Sequence, residues 1–223
     1  MTTSKTPMVA LTMILLTAST ARAGEVKGSI TFTGTAPDLK PLLVTRDQVA
    51  CGKSVPDETV VATKGKLANV VVTVKGAPTH PGTTEVVIDQ QKCRYHPHVQ
   101  AAAAGSGLQI VNSDPLLHNI HGYLGQVTTF NVAMPLKDQK VSKMLNKAGV
   151  VRVKCDVHPW MGAFVVVVDG PAAVSGADGA FEIKNVPAGS YTVTAWHEKL
   201  GEKTAQVTVP ASGAAALDFS FGG

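Results

Sequence analysis

Apolar residues in this chain fall in short runs rich in valine, isoleucine and threonine, and glycine, proline, asparagine and aspartate cut the runs apart. Examples are VKGSITFTG from Val26, ANVVVTVKG from Ala68, GVVRVKC from Gly149, AFVVVVDG from Ala163 and YTVTAWH from Tyr191. Successive side chains of a strand point to opposite faces, so alternation of apolar and polar positions marks a half-buried strand. β-branched residues also pack well on a pleated surface. The runs recur at spacings of about ten residues, which predicts an all-β protein built from sandwiches. Turn residues separate them at Pro78 to Pro81, at Gly105 to Gly107, at Asp169 to Pro171, and at Asp178-Gly179, a hairpin signal. Helical periodicity is nearly absent; only Val141 to Leu145 reads as a short helical turn.

Two of the breaks carry chemistry. One is NSDPLLHNIH, which holds His118; the other is KCDVHPWMGAF, which holds Cys155, His158 and Met161. A thiolate, two imidazoles and a thioether form the donor set of a blue-copper site. Thiolate and thioether are soft and suit Cu(I), while imidazole suits both oxidation states, so such a site reorganises little when one electron moves. Three donors from one tight loop can converge on one ion, with a fourth from a distant loop at the same end of a sandwich.

On these residues the chain resembles the cupredoxins, the small blue copper proteins of the amicyanin and plastocyanin type. The resemblance rests on C-x-x-H-P-aromatic-M after a valine-rich strand and on H-N-aliphatic-H upstream, and it spans Glu85 to Val168. It implies a Greek-key sandwich and one type 1 copper held by His118, Cys155 and His158, with Met161 as weak axial ligand. It implies too that one edge of His158 is exposed as the electron exit. Met134, Pro135, Pro159 and Trp160 would then form an apolar docking patch. Trp160 reads equally as core filling, and Pro159 stiffens the loop by fixing φ. Asn119 is expected to tie the two ligand loops together, with Asn112 and Asp114 shaping the turn before His118. His121 lies three residues after His118, so an extended strand turns it to the other face and gives it a structural role. His96 and His98 read as a loop feature or an accessory metal site, and His98 lies on a segment that can run near the copper. His80 and His197 read as surface or packing residues.

The stretch from Pro171 to Phe221 resembles the carboxypeptidase regulatory-like, transthyretin-type sandwich through D-G-x-F-x-I followed by V-P-x-G-x-Y. The opening strands look like part of the same sandwich type. The organisation is therefore a leader over 1–23, N-terminal strands over 24–76, a cupredoxin domain over 77–170 and a second small β-sandwich over 171–223. Either the cupredoxin is inserted into the second sandwich, which is slightly favoured, or the two stand in tandem.

Lys5, the apolar run Met8 to Ala18 and Ala21-Arg22-Ala23 read as a secretory signal, too short to span a membrane. The expected compartment is the periplasm. Net charge is +4, and removing Lys5 and Arg22 leaves +2 (4 − 2), which argues against nucleic acid as a partner. If Cys155 binds copper, Cys51 and Cys93 remain, as one disulfide or as two buried thiols. No nucleophile elbow, phosphate loop or H-E-x-x-H is present, so no enzyme is expected. The expected function is single-electron transfer between a donor and an acceptor redox protein, in transient complexes. Alternatives are a copper carrier or assembly protein, and a surface interaction module with structural copper.

Overall fold

The computed structural model of the chain describes residues 23–78 and 85–222. The expected leader, apart from Ala23, and His80 lie outside these residues. The fold is all-β, with the strands gathered into two sandwiches. Among the described residues no helix is long and apolar enough to cross a membrane.

In the first sandwich, a four-stranded sheet runs in the order Gln139–Leu145, Ser106–Asn112, Val86–Gln91 and Arg94–His96. It faces a five-stranded sheet ordered Val127–Met134, His118–Leu124, Gly149–Lys154, Gly162–Val168 and Val99–Ala103. Ile88, Leu108 and Ile110 from one sheet meet Ile120, Val151, Val153 and Val165 from the other in one core. The expected helical turn at Val141 to Leu145 is not formed. Those residues lie in a strand paired along its length with Ser106–Asn112, and their alternating exposure follows a period of two. Cross-strand pairing overrides a weak local helical pattern.

The second sandwich draws on both ends of the described chain. Ala23–Thr33 pairs with Ala180–Pro187, Ala214–Ala216 and Phe219–Gly222. The opposing sheet runs Ala172–Val174, Val71–Lys75, Gly189–His197, Gly201–Val209. Val26, Ile30, Val72, Val74, Phe181, Val193 and Phe221 fill the core between them. The segment 24–76 is divided: its outer strands belong here, while the hairpin Leu42–Leu43 with Ser54–Val55 sends Val44, Cys51 and Val55 into the first core.

The sandwiches join through the backs of two strands. Val165 and Val167 face the first core, whereas Val166 and Val168 pack with Val71 and Val99 in a third cluster between the sandwiches, flanked by Phe164 and Trp196. The unbroken apolar run in AFVVVVDG thus marks a strand buried on both faces.

His197 sits inside the second sandwich. Its Nδ1 accepts the backbone N–H groups of Lys199 and Leu200, at 3.2 and 3.3 Å, and its Nε2 is buried with no partner. Burial, reinforced by the nearby charge of His98, lowers its pKa from 6.5 to about 4. Between those two values the unfolded chain takes up a proton that the folded protein refuses, so stability falls as pH drops from 6.5 towards 4. We expect a loss on the order of 2 kcal/mol over that window, allowing for partial solvent screening. Urea unfolding of the metal-free protein at a series of pH values checks it. His197→Gln should flatten the slope between pH 6.5 and 4, and an unchanged slope would place the acid sensitivity elsewhere.

Candidate metal centre

The hairpin between Gly149–Lys154 and Gly162–Val168 closes through the loop Cys155 to Met161. Its return is fixed by Met161 N–H donating to the His158 carbonyl at 2.9 Å. The neighbouring strand His118–Leu124 runs antiparallel, with His121 paired to Lys154. His118 therefore lies beyond the end of Gly149–Lys154, level with the loop. This register is what brings together donors about forty residues apart.

His118, Cys155 and His158 offer donor atoms that all lie within 4.8 Å of one another, and all three residues are buried. The two Nδ1 atoms are 3.0 Å apart, and Cys155 Sγ is 3.8 Å from His158 Nδ1. With metal–nitrogen and metal–sulfur bonds of about 2.0–2.3 Å, donors around one ion sit roughly 3–4 Å apart, so the spacing fits a single ion. Met161 is 2% exposed in the same core cluster. Cys93 also lies near His118, but its sulfur is taken by a disulfide to Cys51. Cys155 is the free, buried cysteine.

Each imidazole is held from behind by a carboxylate. His118 Nε2 donates to Asp114 Oδ2 at 2.8 Å, and His158 Nε2 to Asp47 Oδ2 at 3.0 Å. Such partners fix the ring and turn the other nitrogen towards the metal position. Asp114 also accepts the backbone N–H groups of Lys92 and Cys93, both at 2.8 Å. Burial opposes its charge, but His118 and these donors outweigh burial and lower its pKa. His118 goes the other way: burial lowers it, yet Asp114 and Cys155 raise it overall. Burial also disfavours the Cys155 thiolate, but His118 and the N–H groups of Asn119, His158 and Val157 bring its pKa below the ordinary thiol value. His158 is lowered, chiefly by burial and against the pull of Asp47. The contacts on Cys155 ease formation of its thiolate, the form that binds a soft or borderline metal, whereas Asp114 and Cys155 hold His118 towards its charged form, whose proton a metal would displace.

Asn119 ties the two loops. Its backbone N–H points at Cys155 Sγ at 3.4 Å, its Oδ1 accepts from Asp156 N–H at 3.1 Å, and its Nδ2 donates to Asn131 Oδ1 at 2.6 Å. Asn112 shapes the approach to His118 by donating to the carbonyls of Leu116 and Met134. Asp114 does more than shape a turn, since it orients His118 directly; its place four residues before that histidine was the available signal. His121 turns away from the donors, to Asp156 at 3.0 Å, Tyr123 at 2.8 Å and Thr128 at 2.9 Å. His96 and His98 join no metal-ligating group among the described residues. His98 instead bridges Glu198 and the Gly162 carbonyl, next to Met161 but outside the donor set.

Two expectations are corrected. His158 has no exposed edge: it is fully buried, and Asp47, at the hairpin tip, is bonded to its Nε2. Asp47 adopts φ 53 to start the four-residue helical turn Gln48–Cys51, and the Cys51–Cys93 disulfide fastens that turn down. Nothing near the ligand loops in sequence points to Asp47, which lies 111 residues from His158. Met134 is likewise fully buried, its sulfur accepting from Gln90 Nε2, so it cannot serve in a docking patch. Cys93 links these parts: its N–H holds Asp114, its carbonyl accepts Trp160 Nε1–H at 3.1 Å, and its sulfur holds the cap.

Residues 148–222 match the model of the carboxypeptidase regulatory-like domain. That span begins in the first sandwich and includes the loop Cys155 to Met161 as well as the C-terminal strands. No curated protein matches the chain. Among solved structures, it is similar to amicyanin from Paracoccus versutus, at 26% identity over 43% of this chain and 96% of that one, with a TM-score of 0.35. A Cu(I) form of an amicyanin mutant gives 24% identity over 43% and 97%, with a TM-score of 0.34. A purple cupredoxin from Nitrosopumilus maritimus gives 22% identity over 37% and 99%, with a TM-score of 0.34.

Proposed function

We propose that His118, Cys155, His158 and Met161 hold one type 1 copper ion, and that the exported protein carries single electrons between redox partners in the periplasm. The observation that carries this reading is the convergence of the Cys155 sulfur and two carboxylate-braced imidazoles in a buried pocket. Copper, when bound, supplies a one-electron couple between Cu(I) and Cu(II). The chain supplies the rest. Asp114 and Asp47 fix the rings, backbone N–H groups hold the sulfur, and burial keeps water out. Donors held this tightly suit a site that keeps its geometry through electron gain and loss. Their burial also favours an electron carrier over a copper-delivery protein, which needs exposed ligands to pass the ion on.

Adding Cu(II) to the metal-free protein tests the reading. An intense thiolate charge-transfer band and a reversible one-electron couple are expected. A colourless complex with weak absorption would rule the type 1 site out. His118→Ala should lose or transform that spectrum, whereas His121→Ala should leave it nearly unchanged, because His121 faces Asp156 and Tyr123. Bleaching by His121→Ala alone would mean that the wrong imidazole had been assigned.

A further inference from the structure

The cap over His158 closes the edge through which electrons were expected to pass, so another face has to bring a partner close to the ligands. One cleft does so. It lies between the two sandwiches, encloses about 330 Å³ and has the buried residues Tyr95 and Met161 in its lining. Trp160 forms part of its wall, half-buried, with its ring centroid 5.0 Å from that of His158. Tyr95 O–H donates to the Asn119 carbonyl at 2.5 Å, so the cleft wall also touches the residue that joins the ligand loops.

The charge around this cleft is net positive, with Arg94, Arg152, Lys154 and Lys199 against Asp57, Glu58 and Glu198, and two of the three carboxylates are held in internal contacts. Glu58 is paired with Arg94 at 2.6 Å, and Glu198 is bound to His98. That leaves Arg152, Lys154 and Lys199 with no carboxylate at ion-pair distance among the described residues, against one acidic residue, Asp57. Arg94 Nε is in addition a buried donor with no partner. The second sandwich has a part here: it contributes Lys199 to the rim, and its Glu198 braces His98, which holds the Gly162 carbonyl next to Met161.

We propose that this cleft, with Trp160 in its wall, is the docking surface for an acidic redox partner, which seats a carboxylate-bearing segment between Arg152, Lys154 and Lys199. The proposal rests on the electron-carrier reading. Its volume suits one or two side chains rather than a whole loop. Positive potential at such a cleft steers an anionic partner and makes its association depend on salt.

Two measurements on the full chain test it. The first uses hexacyanochromate(III), a paramagnetic trianion, with the metal-free protein. It should broaden the NMR signals of the Trp160 indole and the Gly162 amide and spare those of Gln48 and Val49 on the cap. Broadening centred on the cap, or at neither place, would overturn the assignment. The second uses hexacyanoferrate(III), which takes one electron from the reduced copper-loaded protein and becomes hexacyanoferrate(II). The double variant R152E/K154E should slow that oxidation on the order of tenfold at low salt, with the difference shrinking as salt rises. It should speed oxidation by the cationic tris(phenanthroline)cobalt(III). Equal rates for wild type and variant with both oxidants would overturn the proposal. If the loaded protein shows no coloured one-electron couple, the carrier reading fails instead, and the hexacyanochromate map alone decides the cleft.

Discussion

Cys155→Ser should turn the copper-loaded protein from intensely coloured to nearly colourless while leaving the fold intact. The intense band comes from charge transfer between thiolate and metal, and a serine oxygen is a hard, weakly basic donor that supplies no such transition. The thiol is 3% exposed at the end of a hairpin strand, and serine is close to it in size, so the sandwich should still close. Circular dichroism checks the fold and the visible spectrum checks the site. The other two cysteines are joined to each other, so neither can stand in as thiolate while the disulfide is oxidised. Full colour in the serine variant would move the sulfur ligand to Cys51 or Cys93 and overturn the assignment.

The second large effect is expected from opening that disulfide. Cys51 and Cys93 are 42 residues apart, and loop-entropy estimates for a closure of this length give about 4 kcal/mol. For a chain of this size that corresponds to a fall in Tm of roughly 10 °C. The double variant C51S/C93S should show this fall without metal. It should also give up copper to a chelator faster than the parent, because Asp47 then holds His158 from a hairpin no longer fastened to the sandwich. If Tm drops and copper release does not change, the bridge stabilises the fold without guarding the site. If neither changes, the hairpin is held by Val44 and Val55 alone.

Much of this could be read from the chain because it is local. Period-two patterning marks the strands, and Cys155, His158 and Met161 share one loop, so their meeting needs only a tight hairpin. His118 was legible through its motif, and its antiparallel register then brings it to the loop. The misreadings arise where long-range packing decides. Val141 to Leu145 holds a strand because Ser106–Asn112 lies beside it. Met134 sits at the end of a strand and looked available, yet its register opposite His118 turns it inward. Asp47 and the cap could not be anticipated. A polar residue in a loop gives no sign that a distant disulfide will press it against a histidine, so an edge read as open is closed.

The division of the second sandwich between the two ends of the described chain sets an order in time. Synthesis proceeds from the amino end, so Ala23–Thr33 emerges before Ala180–Pro187, Ala214–Ala216 and Phe219–Gly222, and its pairings with them wait until those strands are made. Every strand of the first sandwich is complete by Val168. The ligand pocket can therefore assemble while its neighbour holds only its early strands, with Ala23–Thr33 paired to no more than Lys66–Leu67. An early release of the chain would leave a finished pocket attached to a half-built sheet, whose open edge is of the kind that seeks another chain.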